Sequence, residues 1–245
     1  MSLTPTPAHP LVRFHALVPC AGTGSRAGLG QPKQYHPLAG QPLVMHTLTA
    51  LAAVPGLQTG WVVVSAQDDF KWPDGERWPA AFRRVPCGGA ERAISVHQGL
   101  GHMLAQGLDP QDWVLVHDAA RCLISVDAVQ DLLTACAHDP VGGLLALPLP
   151  DTLKREREGR VHDTVPRHDK WLAQTPQMFR LGALHQALQA ASLEGYAGIT
   201  DEASAMERQG LHPRLVVGAA SNIKITYPSD FEWAEIWLQH HRRPA

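Results

Sequence analysis

Paired cysteines and long apolar runs are both missing from this 245-residue chain. Its four cysteines form no Cys-x-x-Cys pair, and its 14 histidines form no His-Glu-x-x-His motif. This argues against a disulfide framework or a zinc site and favours a reducing, cytoplasmic setting. No run approaches the roughly 18–20 apolar residues of a membrane span. The first ten residues do not resemble a secretory signal, and we expect residues 1–12 to be a disordered tail.

Acidic residues are missing from the first quarter of the chain. No Asp or Glu precedes Asp68, whereas Arg13, Arg26 and Lys33 do. The first 67 residues therefore carry +3, and the remaining 18 basic and 23 acidic residues give −5, for a net charge of −2. This excess is too small to predict a nucleic-acid partner, but it leaves room for a local site that binds a small anion.

Alternating strands and helices predict an α/β fold in one domain, residues 1–245. Short apolar runs, typical of strands buried on both faces, occur at residues 14–19, 61–64, 113–116 and 143–147. Helical spacing occurs at residues 41–54, 90–105, 126–137 (with Ser125 as N-cap) and 181–191. The order predicts a doubly wound, mainly parallel sheet.

The end of the chain departs from this alternation. Residues 148–169 are rich in charge and carry Glu158-Gly159 between two extended segments, which predicts a projecting β-hairpin arm at residues 149–169. Beyond it we expect a short strand at Asn222–Thr226. A capping box at Ser229–Glu232 predicts a last helix through Ile236.

A glycine-rich segment, Cys20–Lys33, follows the first strand directly. Its small residues let backbone N–H groups approach an anion, and Arg26 and Lys33 supply positive charge, so we interpret it as a phosphate-binding loop. It is not a dinucleotide loop, because that motif needs an acid about 20 positions on and none precedes Asp68. It also lacks the Gly-Lys-Ser/Thr of a Walker motif.

A second polar segment, His117-Asp118-Ala119-Ala120-Arg121, closes the third predicted strand. In open α/β sheets the carboxyl ends of the strands face the ligand. This placement lets Asp118 meet a ribose or a magnesium ion held by phosphates, and lets Arg121 meet an anion.

These segments resemble the 2-C-methyl-D-erythritol 4-phosphate cytidylyltransferase family of the non-mevalonate isoprenoid pathway, over residues 16–238. The resemblance is carried, in order, by the glycine-rich loop ending Pro32-Lys33-Gln34-Tyr35, Gly88-Gly89-Ala90-Glu91-Arg92, Val114–Arg121, Asp151-Thr152-Leu153-Lys154, Gln174-Thr175-Pro176-Gln177, Ile199–Ala205 and Asn222–Thr226. It implies a Rossmann-like nucleotidyltransferase fold and an enzyme that uses CTP, methylerythritol phosphate and Mg²⁺ or another divalent cation.

The resemblance also implies roles for individual residues. The nucleotide-binding set it implies is Cys20, Ala21, Gly22, Gly89, Ser95, Asp118 and Ala119. The implied catalytic set is Arg26 and Lys33 at the triphosphate, with Arg167 and Lys224 orienting methylerythritol phosphate. That substrate's site would further include Thr152, Thr175, Asp118 and Arg121. The metal would be held by Asp118 or by the CTP phosphates alone.

In this family the arms of two subunits interlock, which implies a homodimer in which Arg167 serves the neighbouring site. Three positions depart from the family pattern: Cys20 replaces a small Ala, Cys122 a Pro, and Ala90 a polar residue. Cys20 and Ala90 stay small, so we expect altered affinity rather than lost activity. We interpret Cys20 as a packing residue rather than a reactive thiol.

Two other functions remain open from the sequence. A cytidylyltransferase for ribitol 5-phosphate or another polyol or sugar phosphate shares the loop. A non-catalytic nucleotide sensor is the other; the presence of Arg26, Lys33 and Lys224 argues against it.

Overall fold

A computed structural model describes residues 13–22, 31–73 and 75–241 of the chain. The residues described form eleven strands: β1 (Phe14–Pro19), β2 (Pro37–Leu38), β3 (Gln41–Pro42), β4 (Leu57–Ser65), β5 (Phe82–Gly88), β6 (Trp113–Val116), β7 (Gly142–Pro148), β8 (Leu153–Arg157), β9 (Arg160–Val165), β10 (Trp171–Arg180) and β11 (Arg214–Val217). The same residues form six α-helices: α1 (Leu43–Ala52), α2 (Arg92–Ala105), α3 (Val126–Cys136), α4 (Leu181–Ser192), α5 (Glu202–Glu207) and α6 (Pro228–His241). None of these helices is long and apolar enough to cross a membrane.

The described strands include a central sheet of seven, in the order β11-β7-β10-β6-β1-β4-β5. All neighbours run parallel except β10, which lies antiparallel between β6 and β7. The predicted mainly parallel sheet is confirmed, but the sequence reasoning missed β5, β10 and β11. The predicted N-cap of α3 is also present, since the Ser125 hydroxyl accepts a hydrogen bond from the Ala128 N–H (3.2 Å).

Two layers of helices cover the sheet. On one side, α1 and α3 pack against the sheet around Val18, Val62 and Leu115, and on the other side α2 and α4 pack around Leu17, Val63 and Val116. Successive residues of one strand therefore enter opposite cores, as expected for strands buried on both faces.

The projecting hairpin is present as β8 and β9. Its turn residues, Glu158 (φ 53°) and Gly159 (φ 76°), are both left-handed, which suits a tight two-residue hairpin turn. Most of its side chains are exposed, including Val161 at 65%. The fold thus holds the arm away from the core of its own chain.

Near the end of the chain, the predicted strand and the predicted capping box are wrong, whereas the predicted last helix is present. Asn222–Thr226 does not form a strand, because its backbone is bound by loop and side-chain partners. Arg121 donates to the Asn222 carbonyl (2.7 Å), and the Ile225 N–H donates to the Ala120 carbonyl (2.8 Å). The last helix begins at Pro228 and ends at His241 rather than Ile236. Asp230 accepts from the N–H groups that precede it, so Ser229–Glu232 does not act as the predicted capping box.

Candidate active site

The carboxyl ends of β1 and β6 open into a cleft. Parallel neighbours bring these ends to one edge of the sheet, where loops replace strands. The lining residues are Pro19, Cys20, Ala21, Gly22, Lys33, Gln34, Glu91, Arg92, Ser95, Asp118, Ala119, Ala120 and Lys224. The start of the glycine-rich loop, the N-terminus of α2 and the segment after β6 therefore face the same space.

Asp118 lies buried in this cleft and binds two cations. Arg92 donates from Nε to Asp118 Oδ1 (2.7 Å), and Lys224 Nζ lies 2.7 Å from Oδ2. Arg121 Nε is 3.9 Å from the same oxygen. Burial alone would raise the pKa of Asp118, but the charges of Arg92 and Lys224 outweigh it and hold the pKa well below its usual range. Asp118 is therefore ionised.

Arg92 also binds a second carboxylate, that of Glu202. Arg92 donates through both terminal nitrogens to Glu202 at the start of α5 (2.6 and 2.9 Å). Such a forked, two-bond pair fixes the plane of the guanidinium as well as its position. Glu202 thus orients the group that binds Asp118.

A chain of hydrogen bonds fixes the backbone around Asp118. Its N–H donates to Thr175 Oγ1 on β10 (3.0 Å), and that oxygen lies 3.1 Å from His117 Nδ1. His117 Nε2 lies 3.0 Å from the Arg121 carbonyl. A carbonyl only accepts, so Nε2 carries the proton and Nδ1 accepts from the Thr175 hydroxyl. Burial lowers the pKa of His117 to about 4, which keeps the ring neutral.

Lys33 is a further cation that lines the cleft. It begins a single 3₁₀ turn, Lys33–Tyr35, and donates from Nζ to the Ile225 carbonyl (2.6 Å). The next residue, Gln34, donates to the carbonyls of Cys20 (2.9 Å) and Gly22 (2.7 Å). The ammonium group of Lys33 therefore binds the short segment that contains Lys224. Both lysines line the cleft and bring positive charge to it.

A family model described as IspD, 2-C-methyl-D-erythritol 4-phosphate cytidylyltransferase, matches residues 14–240. The chain belongs to this cytidylyltransferase family. The predicted family, and with it the predicted nucleotidyltransferase activity, is confirmed.

Curated relatives agree with the family. The chain is 54% identical over 225 residues to the 2-C-methyl-D-erythritol 4-phosphate cytidylyltransferase of Chromobacterium violaceum, with 91% of this chain and 96% of that protein covered. It is also 58% identical over 226 residues to the bifunctional enzyme IspD/IspF of Albidiferax ferrireducens. That match covers 92% of this chain but spans only about half (53%) of the bifunctional protein.

Solved structures of cytidylyltransferases share the fold. A 4-diphosphocytidyl-2C-methyl-D-erythritol synthase superposes with a TM-score of 0.80 at 36% identity, covering 92% of this chain and 98% of the other. The Francisella tularensis 2-C-methyl-D-erythritol 4-phosphate cytidylyltransferase gives 0.78 at 32% identity, covering 91% and 99%. The predicted Rossmann-like nucleotidyltransferase architecture is thereby confirmed.

Most of the predicted site residues of this cytidylyltransferase lie at the cleft. Eight line it directly: Cys20, Ala21, Gly22, Lys33, Ser95, Asp118, Ala119 and Lys224. Three lie just behind: Gly89, whose N–H donates to Ser95 Oγ (3.1 Å), and Arg121 and Thr175, which contact Asp118. Because the Thr175 hydroxyl oxygen accepts a hydrogen bond from the Asp118 N–H, Thr175 supports the backbone of Asp118.

Three predicted residues are not brought into the cleft by the described part of this chain. Thr152 and Arg167 are exposed in the arm, where Arg167 donates to the Pro150 carbonyl. Arg26 lies outside the described residues, as does the predicted tail at residues 1–12.

The positions that depart from the family pattern differ in environment. Cys20 is buried, and burial raises the pKa of its thiol, which agrees with a packing role. Cys122 packs in an apolar cluster with Leu38, Ile225 and Phe231. Ala90 is exposed and does not line the cleft.

Arg92, Glu202 and Gln34 were missed as site residues. All three stand inside the segments that carry the family resemblance, yet no spacing links Arg92 to Glu202 across 110 positions. The available signal was chemical: buried acids and bases in otherwise small-residue segments need partners of opposite charge.

The neutral state of His117 predicts a specific pH dependence of stability. Its folded pKa, about 4, lies below the unfolded value near 6.5, so the unfolded state binds the extra proton between these values. The contribution of His117 is fully present above pH 6.5 and is lost as the pH falls towards 4, by about 3 kcal/mol in the free energy of unfolding.

Denaturant unfolding at pH 7 and pH 4 measures this loss. Between these pH values, His117→Gln should lose about 3 kcal/mol less stability than the wild type, because Gln does not titrate. The exposed residue His240 in α6 supplies the control, since His240→Gln should keep the wild-type loss. Equal losses in all three proteins would contradict a neutral, buried His117.

Proposed function

We propose that the cleft transfers CMP from CTP to the 4-phosphate of methylerythritol phosphate and releases pyrophosphate. The observation that carries this proposal is the convergence of Arg92, Arg121 and Lys224 on one buried carboxylate, Asp118, in the same cleft as Lys33 at the carboxyl edge of the sheet. Two anionic substrates need such a surplus of positive charge in order to meet.

The reaction needs positioning and charge stabilisation rather than a protein base. A phosphate oxygen of the acceptor forms a bond to the α-phosphorus of CTP, and the bond from that phosphorus to the pyrophosphate oxygen breaks. The nucleophile is already an anion, so no side chain must remove a proton. Lys33, with Arg26 in the glycine-rich loop, would stabilise the charge that develops on the triphosphate.

The acceptor substrate would lie on the Asp118 side of the cleft. Lys224 would bind its phosphate, and Asp118 and Arg121 would lie between acceptor and nucleotide. The nucleotide would occupy the side formed by Ala21, Gly22 and Ser95. Because Asp118 and Lys224 already hold each other in place, binding requires little rearrangement of these charges.

The divalent cation would arrive with CTP. Mg²⁺ is usually bound by one or two carboxylates together with substrate phosphates. Both oxygens of Asp118 already contact cations, which does not suit a direct bond to Mg²⁺, and among the described residues no three His, Cys, Asp or Glu side chains form a metal cluster. We therefore favour a metal held by the CTP phosphates over one held by Asp118.

The arm would complete the site of a second subunit. Thr152 and Arg167 are exposed and do not line the cleft of their own chain. Val161, Trp171 and Leu172 expose apolar surface on and beside the arm. An interlocked homodimer would bury these side chains and deliver Arg167 to the partner's acceptor. The free state of all four cysteines supports the cytoplasm as its compartment.

Pyrophosphate release from CTP and Mg²⁺ tests the substrate assignment. Methylerythritol phosphate should support turnover far better than ribitol 5-phosphate at equal concentration. A preference for ribitol 5-phosphate would favour the alternative cytidylyltransferase. CTP binding without release from either acceptor would favour the nucleotide sensor.

Lys33→Ala should lower kcat by about 10²–10³, by analogy with the loss of one preorganised transition-state donor. Without Lys33, one of the positive charges that stabilise the triphosphate in the transition state is lost. Arg208→Ala removes an exposed cation outside the cleft and should leave kcat unchanged. Near-normal turnover in Lys33→Ala would exclude the proposed role, provided that thermal unfolding shows both variants folded.

A mixed dimer tests whether Arg167 acts on the partner. Lys33→Ala and Arg167→Ala chains with different tags are co-expressed, and the mixed dimer is isolated. If Arg167 acts across the interface, one of its two sites is complete and the dimer should show about half of wild-type activity. If Arg167 acts within its own chain, neither site is complete and activity should stay at the level of the single variants.

A further inference from the structure

A loop that follows β4 packs onto Tyr35, two residues after Lys33. Phe70 stacks on the Tyr35 ring (centroids 4.1 Å apart, planes 3° apart), and Trp72 contacts its edge (5.2 Å). The Tyr35 hydroxyl donates to Asp68 Oδ1 (2.7 Å), and Trp72 Nε1 donates to the other oxygen, Oδ2 (2.7 Å). We call these four residues, Tyr35, Asp68, Phe70 and Trp72, the Tyr35 latch.

The latch holds the turn that carries Lys33. Tyr35 is buried and ends the 3₁₀ turn Lys33–Tyr35, while Gln34 ties the same turn to the carbonyls of Cys20 and Gly22. Gln34 thus anchors the turn to the residues that follow β1, and Tyr35 anchors it to the loop after β4. The long, flexible lysine side chain starts from a backbone held on two sides, which reduces the freedom lost when Lys33 meets an anion.

The hydrogen bonds of the latch exceed what simple packing requires. Packing against Phe70 alone would need only an apolar ring. Here, however, the Asp68 carboxylate also accepts one hydrogen bond from Tyr35 and one from Trp72. Bonds to a carboxylate are shorter and stronger than neutral ones and define direction. Burial raises the pKa of Tyr35, so the hydroxyl keeps the proton that it donates.

We infer that Tyr35, Asp68, Phe70 and Trp72 are positioning residues that set the location of Lys33 for nucleotidyl transfer. None of them lines the cleft, and they act through the backbone of the Lys33–Tyr35 turn. The inference rests on the proposed function of Lys33. It gives the loop after β4, which contains Asp68, Phe70 and Trp72, a role in positioning a residue of the cleft.

A double-mutant cycle tests the inference. The proteins are wild type, Tyr35→Phe, Lys33→Ala and the double variant, assayed for kcat and for KM of CTP. Tyr35→Phe removes only the hydroxyl and keeps the stacked ring. It should lower kcat about tenfold when Lys33 is present, because a misplacement of about 1 Å can cost up to about 10²-fold. In the Lys33→Ala background it should have almost no further effect on kcat.

The matched control is Tyr227→Phe, which removes an exposed hydroxyl far along the chain and should leave kcat unchanged. Asp68→Asn provides a second variant in the half-buried loop, with the same expected loss and the same dependence on Lys33. Denaturant midpoints of all variants, measured in both backgrounds, separate lost stability from lost turnover.

The outcomes distinguish the two hypotheses. Normal turnover in Lys33→Ala overturns the proposed role of Lys33. A low rate in Lys33→Ala combined with an equal fold-loss from Tyr35→Phe in both backgrounds overturns the latch alone. An unchanged kcat in both Tyr35→Phe and Asp68→Asn also overturns it.

Discussion

The buried carboxylate of Asp118 is the contact on which the cleft depends. It lies beyond β6, accepts from Arg92 of α2 and pairs with Lys224 of the segment after β11, while its N–H is bound by Thr175 of β10. A buried charge is tolerated only when it is paired and hydrogen-bonded, so these elements must assemble for Asp118 to lie where it does. Removing one partner of such a pair typically costs about 3–5 kcal/mol. Folding and construction of the site are therefore coupled.

The same arrangement explains how a nearly neutral chain can bind two anions. In and beside the described cleft, four cations (Lys33, Arg92, Arg121 and Lys224) accompany three carboxylates (Glu91, Asp118 and Glu202). The ion pairs hold Arg92 and Lys224 in fixed directions, and four cations against three carboxylates leave a surplus of one positive charge for substrate. Fixed charges of this kind stabilise a transition state with little reorganisation. No Asp or Glu precedes Asp68 in the sequence, so the segment that carries Lys33 contains no carboxylate of its own.

Local patterns predicted the buried strands and the edge at which the site forms. They worked because β1 and β6 are continuous apolar runs and because parallel strands present their ends together. They missed β5, whose exposed Arg83 and Arg84 interrupt the apolar pattern, and they could not predict that β10 runs antiparallel. Asn222–Thr226 is predicted as a strand, but loop and side-chain partners bind its backbone instead of a neighbouring strand. The partnership of Arg92 with Glu202 depends on tertiary packing alone and has no local signature.

Strand β10 connects the arm to the cleft, and its pairing with β7 is interrupted on the way. Trp171–Ala173 pairs with Ala146–Pro148, and Gln177–Phe179 pairs with Gly142–Leu144, so that four steps along β10 match two along β7. Thr175 lies in this interruption. The hydrogen bonds beside the arm and those beside the cleft therefore form two separate ladders, and Thr175, which binds the Asp118 N–H, lies between them.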